Sequence, residues 1–294
     1  MRLFRTVLAV LLLAGLALPG CSPGTGTPSE GQALRTERDF GRAVLADLRR
    51  EDRLIEDRAL NRYVAGIADR IEPARPRGAP PLRTVLVRDP GVNAFTTGGG
   101  YVFVTAGLIG AMENEAQFAF VLAHETAHID RGHVISGARQ RQTASAAALI
   151  GAALAVAAGV PGELAELGAG LSAQAAIADF SRDQEADADA VAVGYVSQAG
   201  WSALEGADSF EVMRRLYGDS RGAAAFFATH PPSSDRQQRI ARRARAVGAT
   251  EGRVNAPGWL RATEDLRREL LAFYRREGRT AEARQMQRNL RAGR

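Results

Sequence analysis

Between residues 32 and 71 the apolar positions recur every three or four residues: Phe40, Val44, Leu45 and Leu48, then Leu54, Ile55, Leu60, Tyr63, Val64, Ile67 and Ile71. That spacing stacks them on one face of an α-helix and predicts two amphipathic helices with a break near Asp52. A Pro- and Gly-rich stretch over 73–81 ends the second. Residues 82–87 and 101–105 are short apolar runs that read as strands. Between them lie the turn signals Asp89-Pro90-Gly91 and Gly98-Gly99-Gly100. A long helical pattern over 108–136 follows, with Phe118, Phe120, Val121, Leu122 and Ile129 among its apolar positions. Further helices are predicted over 184–198, 210–217 and 236–247, and two short ones lie on either side of Gly278-Arg279-Thr280. Few strands among many helices predict an α+β chain, mainly helical, with a small sheet.

The chain start follows a different pattern. Arg2 and Arg5 precede an apolar run over 7–18, then Leu18-Pro19-Gly20-Cys21. A charged n-region, an apolar h-region too short to span a bilayer comfortably, and small residues at a cleavage point describe an export signal. Cys21 is the chain's one cysteine, so no intramolecular disulfide forms. Its place at the end of such a signal resembles the lipobox of bacterial lipoproteins, where the cysteine carries the lipid. Ser22 after it resembles the outer-membrane sorting pattern. The Gly-, Pro-, Ser- and Thr-rich residues that follow read as a flexible tether. Residues 144–160 are uncharged and Ala-rich. Alanine's small transfer free energy favours a packed hairpin or a lid over a span, and leaves membrane association open.

Composition narrows the picture. With 294 residues, 46% of them hydrophobic and 24% charged, the chain can build one substantial domain. All 38 basic residues are arginine. The formal charge of +5 falls to +3 once Arg2 and Arg5 leave with the signal. No arginine stripe with interleaved aromatics is present, so nucleic acid is not an expected partner.

Candidate chemistry centres on His124-Glu125-Thr126-Ala127-His128. Spacing of four on a helix puts both imidazoles on one face, where they can bind one zinc ion, and Glu125 beside them can accept a proton from water. The chain has only four histidines, and His133 follows on the same predicted helix while His230 opens a Pro-rich segment. Downstream, Glu185 and Asp189 are again four apart. Glu185 can supply a third ligand, and Asp189 can accept the other ring N–H of a ligand histidine, His124 first. A solvated acidic helix face is the competing reading of these carboxylates, and it suits Asp187, half a turn from Glu185.

The ordered set of motifs resembles the M48 family of zinc metallopeptidases, including its HtpX-like and Ste24-like members and its periplasmic lipoprotein relatives. The matching pieces are Asn93-Ala94-Phe95, the run from Gly99 to Leu108, the His124–His128 motif with Gly132-His133-Val134, Ser181 to Asp189, and His230-Pro231 with Arg236. Thr96-Thr97-Gly98 departs from the usual turn, and the tail lacks the long repeat array of some relatives. The resemblance implies a zincin-type metalloprotease domain with a small sheet and an HExxH active-site helix. The implied organisation is a lipoprotein signal over 1–20, a tether over 21–31, a metallopeptidase domain over 32–247, and a linker with a short C-terminal helical pair over 248–294.

It also implies Zn²⁺ as cofactor, with His124, His128 and Glu185 as ligands, Glu125 as general base, and Asp189 and His133 behind the ligands. His230 and Arg236 are the implied partners of the developing oxyanion; by pattern alone His230 is equally a packing residue and Arg236 equally a surface arginine. His230 in zinc's open position, in a closed form, is the other reading. Residues 101–105 are expected at a sheet edge beside the cleft, where an extended substrate can align by backbone hydrogen bonds. The expected substrates are unfolded or misassembled envelope proteins. The expected place is the outer membrane, facing the periplasm, with Cys21 holding the bilayer through acyl chains. A noncatalytic envelope chaperone using the same cleft is the alternative.

Overall fold

A computed structural model of the chain describes residues 30–134, 180–217, 230 and 234–293. The export signal, Cys21, almost all of the tether and the Ala-rich segment over 144–160 lie outside the described residues. The first two helices are α1 (Glu30–Arg50) and α2 (Arg58–Ile71). The expected break falls at Asp52, which adopts a left-handed conformation with φ 53°. Asp57 caps α2 by accepting from the backbone N–H of Ala59 and Leu60.

Three strands follow: β1 (Arg83–Val87), β2 (Ala94–Gly98) and β3 (Tyr101–Thr105), in the order β1-β3-β2. β3 is parallel to β1 and antiparallel to β2. Two points correct the sequence reading. Residues 101–105 form the central strand rather than an edge, and β2, which the hydrophobic pattern does not reveal, is the edge strand packed against the HExxH helix. Ala94 to Gly98 are buried throughout, so no in-out alternation marks them as a strand. The β2–β3 turn needs glycine: Gly99 has φ 61°, and a Cβ there would lie 2.5 Å from the backbone nitrogen of Arg38 on α1.

The sheet separates two apolar layers. Val85, Val87, Phe95, Tyr101 and Phe103 face α1 and pack with Val44 and Leu48. Leu86, Ala94, Val102 and Val104 face the main core. That core is built around α4 (Glu115–Asp130), which follows the short α3 (Ala106–Ala111). The single helix expected over 108–136 is thus split, because Asn114 caps α4 by accepting from Gln117 N–H. Every residue of α4 from Glu115 to Ile129 is buried, so the helix is enclosed on all sides.

The helices α5 (Arg182–Gln198), α6 (Leu204–Tyr217) and α7 (Ser234–Ala246) complete the domain, α5 and α6 lying against α4 and α7 against both. Gly206 lets α6 approach closely, since a Cβ there would lie 2.2 Å from the Phe120 ring. The tail forms α8 (Ala256–Ala262), α9 (Glu264–Arg276) and α10 (Thr280–Ala292). The last two are the expected pair, preceded by a short helix that Pro257 helps to start. Arg267, Gln285 and Asn289 donate to C-terminal carbonyls of α3 and its cap that the helix itself leaves unpaired, among them Gly110, Ala111 and Met112, and so tie the tail to the domain. No described helix is long and apolar enough to cross a membrane.

Candidate metal centre

Two helices carry the centre, and each is fixed at its ends. α4 begins at the Asn114 cap and ends where Asp130 accepts a fork from Arg75, at 3.0 and 2.6 Å. Tyr195 of α5 donates to the same carboxylate at 2.8 Å. α5 begins with a capping box: Ser181 Oγ accepts from Gln184 N–H, and the Gln184 side chain accepts from Ser181 N–H.

From this frame His124, His128, Glu185 and His230 each offer one ligand atom, all within 4.8 Å of one another and all buried. His124 Nε2 lies 3.0 Å from His128 Nε2 and 3.2 Å from His230 Nδ1. Glu185 Oε1 lies 2.8 Å from His230 Nδ1 and 3.3 Å from His128 Nε2. The edges of a tetrahedron around zinc at ordinary zinc–nitrogen distances are about 3.3 Å. Three imidazoles and a carboxylate are therefore spaced and chosen as a zinc site requires.

Glu125 is fully buried beside this set. Its Oε1 lies 3.2 Å from His230 Nε2, and neither of its oxygens has a hydrogen-bond partner among the described residues. Burial alone would raise the Glu125 pKa, but the neighbouring imidazoles, His230 first, bring it below the usual carboxylate range. Burial likewise opposes charge on His230, yet Glu185 and Glu125 raise its pKa to about 9. Burial dominates at His128 and pushes it down to about 3. Glu185 is held well below the carboxylate range against the effect of burial, chiefly by Arg236.

Behind the ligands, Asp189 Oδ1 lies 3.1 Å from His124 Nδ1. An ionised carboxylate only accepts, so the His124 proton sits on Nδ1 and the Nε2 lone pair faces the cluster. Arg236 is wholly buried and forks onto Asp189 at 2.8 and 2.9 Å, while its Nη1 lies 2.5 Å from Glu185 Oε2. The pattern left Arg236 open as a surface residue; instead its guanidinium sits between two carboxylates and over the Phe210 ring, 4.4 Å from its centroid. His133 Nδ1 lies 3.0 Å from His128 Nδ1.

Sequence reasoning missed two neighbours. Phe180 stacks on His128 with centroids 3.7 Å apart, and nothing in its sequence context marks it. Asp187, assigned to solvent, accepts a fork from Arg131 at 2.6 and 2.7 Å and lies 3.4 Å from His133 Nε2. Its partners lie more than fifty residues away in the chain, beyond the reach of a helical-face argument.

Known proteins are similar to this chain in sequence. The chain is 34% identical over 159 residues to the metalloprotease LoiP of Escherichia coli K12, which covers 53% of the chain and 60% of LoiP. It is 33% identical over 157 residues to the mitochondrial metalloendopeptidase OMA1 of Schizosaccharomyces pombe, covering 53% of the chain and 44% of OMA1. It is 26% identical over 185 residues to the beta-barrel assembly-enhancing protease of Escherichia coli K12, covering 61% of the chain and 38% of that protein. The chain thus spans about half the length of the curated relatives it matches. The profile of peptidase family M48 matches residues 55–244, more than half of the chain and all of the metal centre. This chain belongs to peptidase family M48.

Proposed function

We propose that the protein is a zinc-dependent metalloendopeptidase in which His124, His128 and Glu185 hold the metal and Glu125 is the general base. The observation that carries this reading is the convergence of four ligand atoms with the Glu125 carboxylate on one side of them. Zinc held there by His124, His128 and Glu185 would supply Lewis acidity toward the scissile carbonyl and toward water. Glu125 Oε2 takes the proton of the attacking water and returns it to the leaving amine. Asp189 keeps the His124 lone pair directed at the metal, and Arg236 holds Asp189 and Glu185 in place.

His230 completes a closed form. Its Nδ1 stands among the ligand atoms and its Nε2 against Glu125, so both the fourth position and the base are occupied by protein. Departure of His230 opens the position and frees Glu125. A substrate segment then aligns along the outer edge of β2, the strand packed against α4.

The substrates we assign are unfolded or misassembled envelope proteins, in keeping with relatives named as beta-barrel assembly-enhancing proteases. Acylation at Cys21, with residues 22–31 as tether, would hold the domain of residues 32–247 at the outer membrane, facing the periplasm. Metal analysis with cleavage of a denatured protein tests the reading. One zinc per chain and cleavage abolished by a chelator and restored by zinc support it; cleavage indifferent to chelation would overturn it.

A further inference from the structure

Asp187 is joined to His128 through His133. Asp187 Oδ2 lies 3.4 Å from His133 Nε2, and His133 Nδ1 lies 3.0 Å from His128 Nδ1. The direction of the protons along this chain follows from the acceptor at its outer end. The contact with Asp187 is electrostatic and longer than a hydrogen bond; an ionised carboxylate draws the His133 N–H to Nε2 and leaves the bare lone pair of its Nδ1 turned inward. His128 must then carry its proton on Nδ1 and direct the Nε2 lone pair at the ligand cluster. The reverse arrangement would set a lone pair of His133 against the Asp187 carboxylate. Arg131, the C-cap of α4, holds Asp187 by both oxygens and fixes the outer end.

The arrangement parallels the one behind His124. There an aspartate of α5 meets the ligand imidazole directly and is forked by Arg236; here an aspartate two residues earlier meets it through a second imidazole and is forked by Arg131. We propose that Asp187, acting through His133, is a positioning residue that fixes the tautomer of His128 before metal binds. This rests on His128 being a ligand, as the proposed function has it.

The test uses the full chain and zinc itself, with Asp187→Ala, His133→Phe, the double variant, and Asp183→Ala as control. Asp183 is exposed on the same helix, so its loss makes the same charge change without touching the chain of contacts. Zinc dissociation constants are measured by chelator competition, and histidine ¹⁵N spectra of the metal-free protein report the His128 tautomer. Asp187→Ala and His133→Phe should each weaken zinc binding about 10–100-fold, the range for lost partners behind a ligand. The double variant should be no weaker than the worse single one. His128 should be Nδ1-protonated in the native chain and in Asp183→Ala, and lose that preference in Asp187→Ala. An Asp187→Ala protein with the native tautomer, and affinity within about twofold of the control, would overturn the proposal. If His133→Phe does not fold, Asp187→Ala decides alone, its side chain being partly exposed. If the native chain binds no zinc, the proposed function fails, while the spectra still decide the tautomer.

Discussion

His230 Nε2 stands 3.2 Å from Glu125 Oε1 while its Nδ1 lies among the metal-ligand atoms. In the proposed reading, one side chain therefore covers both the base and the fourth ligand position. His230→Ala should keep zinc at one per chain, because three donors remain. It should speed cleavage of an unfolded protein by about tenfold, the effect of removing about 1.4 kcal/mol of contact that holds the site closed. Slower cleavage with zinc retained would place the main contribution of His230 on the oxyanion instead.

Asp189 touches both His124 and Arg236, and each depends on it. Asp189→Ala leaves the buried guanidinium against Glu185, at 2.5 Å. Loss of one partner of a buried pair destabilises a protein by about 3 kcal/mol. Denaturant unfolding should show that loss, and chelator competition should show zinc affinity down by about 10–100-fold. Native stability with native affinity would remove Asp189 from the account.

These two residues show what the sequence made readable. Spacing of four placed His124 with His128 and Glu185 with Asp189, because a helix repeats on that interval and each pair lies within one element. Arg236 and Asp187 obtain their roles from partners on other helices, so their own surroundings left Arg236 open between site and surface and put Asp187 on a solvated face. The β2 strand escaped for a related reason. It is buried on both faces by α1 and α4, which erases the alternation that identifies a half-exposed strand. The order β1-β3-β2, and with it the edge that faces the active-site helix, depends on pairings that a local pattern does not contain.

Glu37 gives a pH prediction well removed from the metal ligands. It is 7% exposed and accepts from Gly99 N–H at 3.0 Å. Burial outweighs that bond and raises its pKa from 4.5 to about 7. The folded state thus holds this proton more tightly than the unfolded state. The native chain should lose stability as pH rises from 4.5 to about 7, by at most roughly 3 kcal/mol from this group. Glu37→Gln retains an acceptor for Gly99 and should be more stable than native at pH 8, with a flatter profile. Parallel urea-midpoint profiles for the two proteins would contradict this.

Arg267 anchors the tail. It is fully buried, and it donates to the carbonyls of Gly110, Leu260 and Met112. Removing it takes one donor from each of those carbonyls and leaves a cavity, although Asn289 still donates to Gly110 and Trp259 Nε1 to Met112. Arg267→Ala should lower stability by about 3 kcal/mol with zinc stoichiometry unchanged. Loss of zinc at native stability would show the tail acting on the metal centre directly.

The central claim is that Glu125 moves the proton while its neighbours hold the metal. The direct measurement compares Glu125→Gln with the native chain for bound zinc and for cleavage of an unfolded protein. The account predicts one zinc per chain in both and cleavage lowered by at least about 100-fold in the variant. Equal cleavage by the two proteins would contradict it.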